Sequence, residues 1–229
     1  VTRPAGAAAW PMFRALVGIG VLCGLLIVSV YEVTAPMIAA NKARALQSAI
    51  FDVLPAARAT RAYAWQGDGL VELDAAAAEA ASADDVVYAG LDEGGQLVGF
   101  AISGAGMGYQ DIIRVLYGYA PDRDAIVGIR VLETRETPGL GDKIEKDPAF
   151  LANFAALDVR LTTEGTGLAN PIVPTKHGDK TSPWQVDAIT GATISSFAIA
   201  NILNDSAGLW IPRLAPAARN VVANTEGAL

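Results

Sequence analysis

Only one cysteine, Cys23, and one histidine, His177, occur among the 229 residues. A lone cysteine leaves no intramolecular disulfide and no thiolate-held iron–sulfur cluster. With a single histidine beside it, a Cys/His zinc site and bis-His haem ligation are excluded too. Redox chemistry in this chain therefore needs an organic cofactor. Charge is also scarce, at 18% of residues against a globular average of about 25%. Basic residues are outnumbered 17 to 24, giving a net charge of −7 and a pI near 4.7. The basic face that a phosphate backbone requires is missing, so no nucleic acid is expected as a partner. No internal repeat of roughly 20–50 residues is visible, and the length suits one good-sized domain plus an anchor.

What the chain does have is apolar surface, 52% of residues. Part comes from alanines and part from one uncharged run, Ala15 to Tyr31 (ALVGIGVLCGLLIVSVY), preceded by Arg14 and ended by Glu32. The run sits at the short end of the roughly 17–25 residues that span a bilayer. Trp10, Met12 and Phe13 extend it, Arg14 can snorkel, and Trp10 and Tyr31 suit the two headgroup levels. A cleaved signal peptide is the rival reading, but Ser29-Val30-Tyr31 and Val33-Thr34-Ala35 are poor cleavage sites. We expect a short cytoplasmic N-terminus over 1–12, a transmembrane helix over 13–34, a stalk helix over 35–55 and a cofactor-bearing domain over 56–229. Arg3 and Arg14 lie before the helix and Lys42 and Arg44 beyond it; Arg14, the nearest basic residue, favours the N-terminus inside.

Beyond the anchor, Leu46, Ala49, Ile50, Val53 and Leu54 form a helical stripe that Pro55 stops. Residues 55–85 are Ala-rich, and only a weak helix over 74–81 can be assigned there. Strand patterns follow at 86–91 and 96–103 around Glu93-Gly94-Gly95, and at 111–120 and 125–133 around Pro121-Asp122-Arg123. DPAFLANFAAL (147–157) carries an Asp N-cap and Pro in the first turn, so a helix is expected. A short strand over 184–189 and a helix over 194–204 complete the reading. Hairpin-joined strands with added helices predict an α+β fold, an antiparallel sheet with packed helices.

Three segments invite chemistry. GAGMG (104–108) is Gly-x-Gly-x-Gly and lacks a third glycine at the spacing of a dinucleotide fingerprint, so a turn or a close backbone approach is expected and no nucleotide claim rests on it. In Glu136-Thr137-Pro138-Gly139-Leu140-Gly141-Asp142-Lys143-Ile144, Pro-Gly suits the middle of a type II turn. The further glycines there strip side chains away from a flat ligand. Asp187-Ala188-Ile189-Thr190-Gly191-Ala192-Thr193-Ile194-Ser195-Ser196 lies between the last strand and the last helix. Free N–H groups at such a junction make a natural phosphate site, or else a plain helix cap.

ETPGLGDKI followed about fifty residues later by DAITGAT, behind one N-terminal apolar run, resembles the G subunit of the Rnf ion-translocating oxidoreductase complex. The C subunit of the sodium-translocating NADH:quinone oxidoreductase is a near relative of that family. The second motif matches the family's flavin-transferase target, Asp-x-x-Ser/Thr-Gly-Ala-Thr, at every defined position. The resemblance implies FMN bound covalently to Thr193 through a phosphoester bond, with Asp187, Thr190, Gly191 and Ala192 as the recognition sequence. The helix start at Ser195 would stabilise the remaining phosphate charge. Glu136, Thr137, Gly139, Leu140 and Gly141 would lie beside the flavin ring, while Lys143 pairs with an acid or stays solvated.

Further implied are an inner-membrane location with the C-terminal domain in the periplasm, and electron flow between NADH and ferredoxin coupled to ion transport. Other subunits of that complex, the flavin transferase and membrane lipid would be the partners. No metal site is expected, and no catalytic residue beyond the flavin. The alternatives are the C subunit of the quinone reductase, a stand-alone membrane-anchored periplasmic flavin reductase, and a non-redox adapter in which the Gly-Ala-Thr turn is only a helix cap.

Overall fold

The computed structural model describes residues 9–67, 69–82 and 84–226, so most of the expected N-terminal segment over 1–12 lies outside the described residues. The chain divides into two compact units after Ala45. Helix α1 (Ala9–Val53) crosses that division. Up to Ile38 it is a largely apolar rod whose large side chains from Trp10 on are exposed, Leu16 to 74%, and Asn41, Lys42 and Arg44 follow. Pro36 lies inside it, and the Thr34 hydroxyl donates back to the Val30 carbonyl at 2.8 Å. This helix is long and apolar enough to cross a membrane, with a mean hydropathy of 2.3 over its most apolar window.

The second unit is built on a seven-stranded antiparallel sheet. Its strands are β1 (Ala59–Gln66), β2 (Gly69–Leu73), β3 (Val86–Leu91), β4 (Leu97–Met107), β5 (Ile112–Ala120), β6 (Ala125–Glu133) and β7 (Leu157–Asp158). Their order is β2-β1-β3-β4-β5-β6-β7, so only the connection from β2 to β3 passes over a strand, and it carries helix α2 (Ala75–Ala80). Alternation of side chains decides the two faces. Phe100 and Ile102 of β4, with Val115, Tyr117 and Tyr119 of β5, join the core formed with helix α4 (Thr193–Glu226). Ala101 and Leu116, one residue out of phase, meet Ile50, Val53 and Leu54 at the end of α1 instead.

Glycines set how closely both layers approach. A Cβ on Gly118 would stand 2.3 Å from the Val53 carbonyl oxygen, and one on Gly106 would stand 2.6 Å from Ile202 Cγ1. Residues 104–107 are thus the end of a strand under α4, where the close-approach reading holds, and Gly108 opens the turn to β5. The Tyr117 hydroxyl is 2.9 Å from Ser206 Oγ, pinning α4 over β5. Arg213 stacks over Trp65 and Trp210 at 5.6 and 5.9 Å, fastening the β1–β2 hairpin to the same helix.

Several boundaries differ from the sequence reading. Residues 55–85 hold a hairpin as well as the short helix, because β1 gains its order from pairing with β2 and β3 and not from its alanine-rich composition. The helix expected over 147–157 is only α3 (Pro148–Ala152). The Asp147 carboxylate caps it, accepting from Ala149 and Phe150 N–H, but Leu157 is then recruited as edge strand β7 opposite Ile126. The expected strand at 184–189 is β9 (Gln185–Asp187). It pairs in parallel with β8 (Val173–Thr175), away from the main sheet. Helix α4 runs well past 204 and contains Pro212 and Pro216.

Candidate functional site

The β9–α4 connection is a tight turn. Gly191 takes φ +84, a left-handed conformation that glycine enters without steric cost. The Ala192 N–H donates to Ile189 O at 3.0 Å, and Ser196 N–H makes the first helical bond, to Ala192 O at 2.9 Å. Thr193, Ile194 and Ser195 are therefore the first three helical residues, and their N–H groups stand outside the helix ladder. Buried Ser196 locks the turn from inside: its hydroxyl accepts from Ile189 N–H at 3.1 Å and donates to Ala192 O at 2.9 Å. Thr193 itself is exposed.

The other motif is an equally ordered loop. Leu140 N–H donates to Thr137 O at 3.1 Å with Gly139 at φ +78, as position i+2 of a type II turn requires. A 3-10 helix, Gly141–Glu145, follows. Gly139 N–H donates to Asp142 Oδ1 at 2.6 Å, and Lys146 Nζ donates to Asp142 Oδ2 at 2.9 Å. The Lys146 hydrogen bond above all holds the Asp142 carboxyl below its usual range.

Glu136 joins the two. It is buried, at 5% exposure; its Oε2 accepts from the Ser195 hydroxyl and its Oε1 from Gln110 N–H at 3.0 Å. A Cβ on Gly141 would stand 2.5 Å from Glu136 Oε2, and one on Gly108 would stand 2.5 Å from Oε1. Two glycines therefore make room for this carboxylate at the start of α4, where the helix dipole favours negative charge.

Between the motifs lies an open cleft of about 330 Å³, lined chiefly by Tyr109, Glu136, Leu140, Gly141, Ala192 and Thr193. Thr137, Gly191, Ile194 and Ser195 complete it. Of the residues singled out from sequence, Glu136, Thr137, Leu140, Gly141, Gly191, Ala192, Thr193 and Ser195 thus converge. Gly139 does not line the cleft.

Asp187 and Thr190 lie on a second cleft of about 280 Å³, together with Lys143, Phe150, His177 and Ile189. There the Asp187 carboxylate accepts from Gly178 N–H at 2.8 Å and stands 3.6 Å from His177 Nδ1. Its backbone is gripped by Asn153, which accepts from Asp187 N–H at 3.0 Å and donates to Asp187 O at 3.2 Å. Lys180 Nζ donates to Asn153 Oδ1 at 3.0 Å; burial holds its ammonium below the usual range, and the Asp187 charge partly offsets this. Tyr109, Gln110 and Asn153 are not singled out by the sequence, although Tyr109 directly follows the 104–108 run, because they act through contacts distant along the chain. Ser196 closes the 187–196 segment, but its locking role is not legible there.

An α+β domain whose two motif loops enclose an apolar cleft beside an exposed threonine at a helix start is the frame of an FMN-binding domain, and residues 108–208 match the family model of that description. The G subunit of the ion-translocating oxidoreductase complex of Escherichia coli (strain K12) is 34% identical over 177 residues, covering 76% of this chain and 78% of that one. Its counterpart from Methanosarcina acetivorans is 37% identical over 119 residues, 52% of this chain and 55% of its own length. The chain belongs to the family formed by the G subunits of ion-translocating oxidoreductase complexes. It spans about half the length of the first curated relatives it matches.

Among solved structures, Shewanella oneidensis NqrC superposes with a TM-score of 0.59 at 18% identity, covering 80% of this chain and 99% of that one. The C subunit of the Na(+)-translocating NADH-quinone reductase from Parabacteroides distasonis gives 0.54 at 23%, covering 69% and 78%. At these identities the likeness speaks for the fold alone.

Proposed function

We propose that this chain is a membrane-anchored electron-transfer subunit of an ion-translocating oxidoreductase, with FMN joined by a phosphoester bond to Thr193. The observation that carries the reading is the cleft in which the loop 136–141 meets the turn 191–195. The residues fit the group. The cleft is open and largely apolar, as a flat ring system needs, and nothing stands within 4 Å of a Cβ position on Gly191. At its edge, Thr193 is exposed at the start of a 34-residue helix, where free N–H groups and the dipole stabilise a phosphate.

When bound, FMN supplies the capacity to accept and donate electrons that the chain's own side chains lack. Thr193 Oγ would fix the phosphate, and the N–H groups of Thr193, Ile194 and Ser195 would face its charge. Glu136 would orient Ser195 and the loop at 108–111 around the ring. Covalent attachment prevents loss of the cofactor to an open compartment, since noncovalent occupancy depends on free ligand concentration.

The helix over 13–34 is read as the anchor, because its exposed apolar surface suits lipid better than water. Residues 1–12 would be cytoplasmic, residues 35–55 a stalk, and the domain from 56 on periplasmic. Other subunits of the complex and the flavin transferase are the expected partners.

Intact mass measurement on chain produced alongside a flavin transferase tests the reading. The wild-type chain should carry one FMN phosphoester and fluoresce in a denaturing gel, and Thr193→Val should lose both while staying folded. Undiminished fluorescence in Thr193→Val would reject the acceptor assignment.

A further inference from the structure

The turn between β4 and β5 is fastened more firmly than a surface hairpin needs. Gly108 N–H donates to Asp111 O at 2.9 Å. Gln110 is gripped twice, its N–H donating to Glu136 Oε1 at 3.0 Å and its Oε1 accepting from the Thr137 hydroxyl at 3.1 Å. Asp111 accepts from Arg135 at 3.2 Å. A Cβ on Gly108 would collide with both Glu136 and Ile113, so the turn can press against the loop only because that position is glycine. Yet the residue at the centre of all these ties, Tyr109, is 66% exposed.

Holding a turn this firmly in order to leave an aromatic ring in water serves no packing purpose. Tyr109 does have a place to act: among the described residues it is the only aromatic one lining the cleft, which it shares with Thr193, Ile194 and Leu140. Aromatic rings gain most when they stack, offset, on another flat π-system.

Resting on the reading that Thr193 carries FMN, we infer that Tyr109 stacks against the isoalloxazine ring and tunes its redox potential. Tyr109 lies outside both sequence motifs. Its phenol places electron density against the ring, which disfavours the electron-rich reduced form and holds the potential down. Glu136 and Gln110 act through Tyr109, as positioning residues that hold its turn against the cleft.

Fluorescence separates this role from a structural one. A stacked phenol quenches an excited flavin by donating an electron that then returns, whereas phenylalanine stacks equally well but cannot donate. The full chain is purified in detergent after production with a flavin transferase, as wild type, Tyr109→Phe and Tyr109→Ala. All three should carry the same flavin mass. Tyr109→Phe should raise the flavin fluorescence yield several-fold while iodide quenching stays as in wild type. Tyr109→Ala should raise both the yield and the access of iodide to the ring, and should move the midpoint potential positive. Flavin attached in full with unchanged yield in Tyr109→Phe and unchanged potential in Tyr109→Ala would overturn the stacking role and leave the Thr193 assignment standing. A wild-type chain that acquires no flavin from a competent transferase would overturn both.

Discussion

Glu136 and Ser195 lie 59 residues apart in sequence and share a hydrogen bond, the Ser195 hydroxyl donating to the buried carboxylate. That contact joins the loop after β6 to the first turn of α4, and both residues line the cleft. Its closeness depends on the missing side chain of Gly141. Gly141→Ala would place a methyl group 2.5 Å from Glu136 Oε2 and 3.0 Å from Ser195 Oγ. We expect it to cost about 1–3 kcal/mol, as overpacking does. At roughly 2–4 °C per kcal/mol for a domain of this size, thermal melting of the detergent-solubilised chain should fall by several degrees. An unchanged melting point would show that the loop yields freely.

The contact between β4 and α4 is open to a double-mutant cycle. Gly106→Ala drives a methyl into Ile202, at 2.6 Å from Cγ1, and Ile202→Ala opens a cavity worth about 2–5 kcal/mol. The double variant should be more stable than the sum of the two losses predicts, with a coupling of about 0.5–3 kcal/mol in denaturant melts. Additive losses would place the strain elsewhere.

Asn153 holds Asp187 by N–H and carbonyl together. Asn153→Ala removes both partners and the Lys180 contact, and should cost about 1–3 kcal/mol for each buried polar group left unpaired. Because Asp187 anchors the strand that leads into the acceptor turn, flavin incorporation by the transferase should slow even at temperatures where the variant is fully folded. Time-resolved in-gel fluorescence checks this, and wild-type rates would mean that the turn holds its shape without Asn153.

Acid should loosen the 137–146 loop. The Lys146 hydrogen bond, with the Gly139 N–H, lowers the Asp142 carboxyl below its ordinary 3.8, so folding favours the charged form. Its stabilisation is complete above that ordinary value and drains as the pH falls through the lower folded-state value. Asp142→Asn should therefore melt below the wild type at neutral pH, and the gap should close under acid. A gap that persists at low pH would refute the linkage.

The inner strands β3 to β6 are legible directly, because apolar residues follow one another between clear turn signals. Strand β1 is not legible that way. Its ATRAYAWQ is poor in β-branched residues, and its neighbours on both sides make it a strand. Helix α4 reads short because nothing local after 204 announces its length, and Pro212 and Pro216 argue against continuation. At the site, the type II turn at Gly139 and the strand–turn–helix at Gly191 follow from local chemistry. That the two loops face one another does not, since the contact runs through Glu136 and Ser195. Gly139 shows the limit of motif reasoning: its backbone shapes the loop, yet it stays off the cleft, so Gly139→Val should act through the strain of a β-branched residue at φ +78.

The connection from Asp187 to Thr193 borders both clefts, Asp187 and Thr190 on one and Gly191, Ala192 and Thr193 on the other. A substitution that shifts the backbone beside the first cleft therefore reaches the second within a few residues of chain. Lys143 and His177, which line only the first, are the side chains from which such a shift would start.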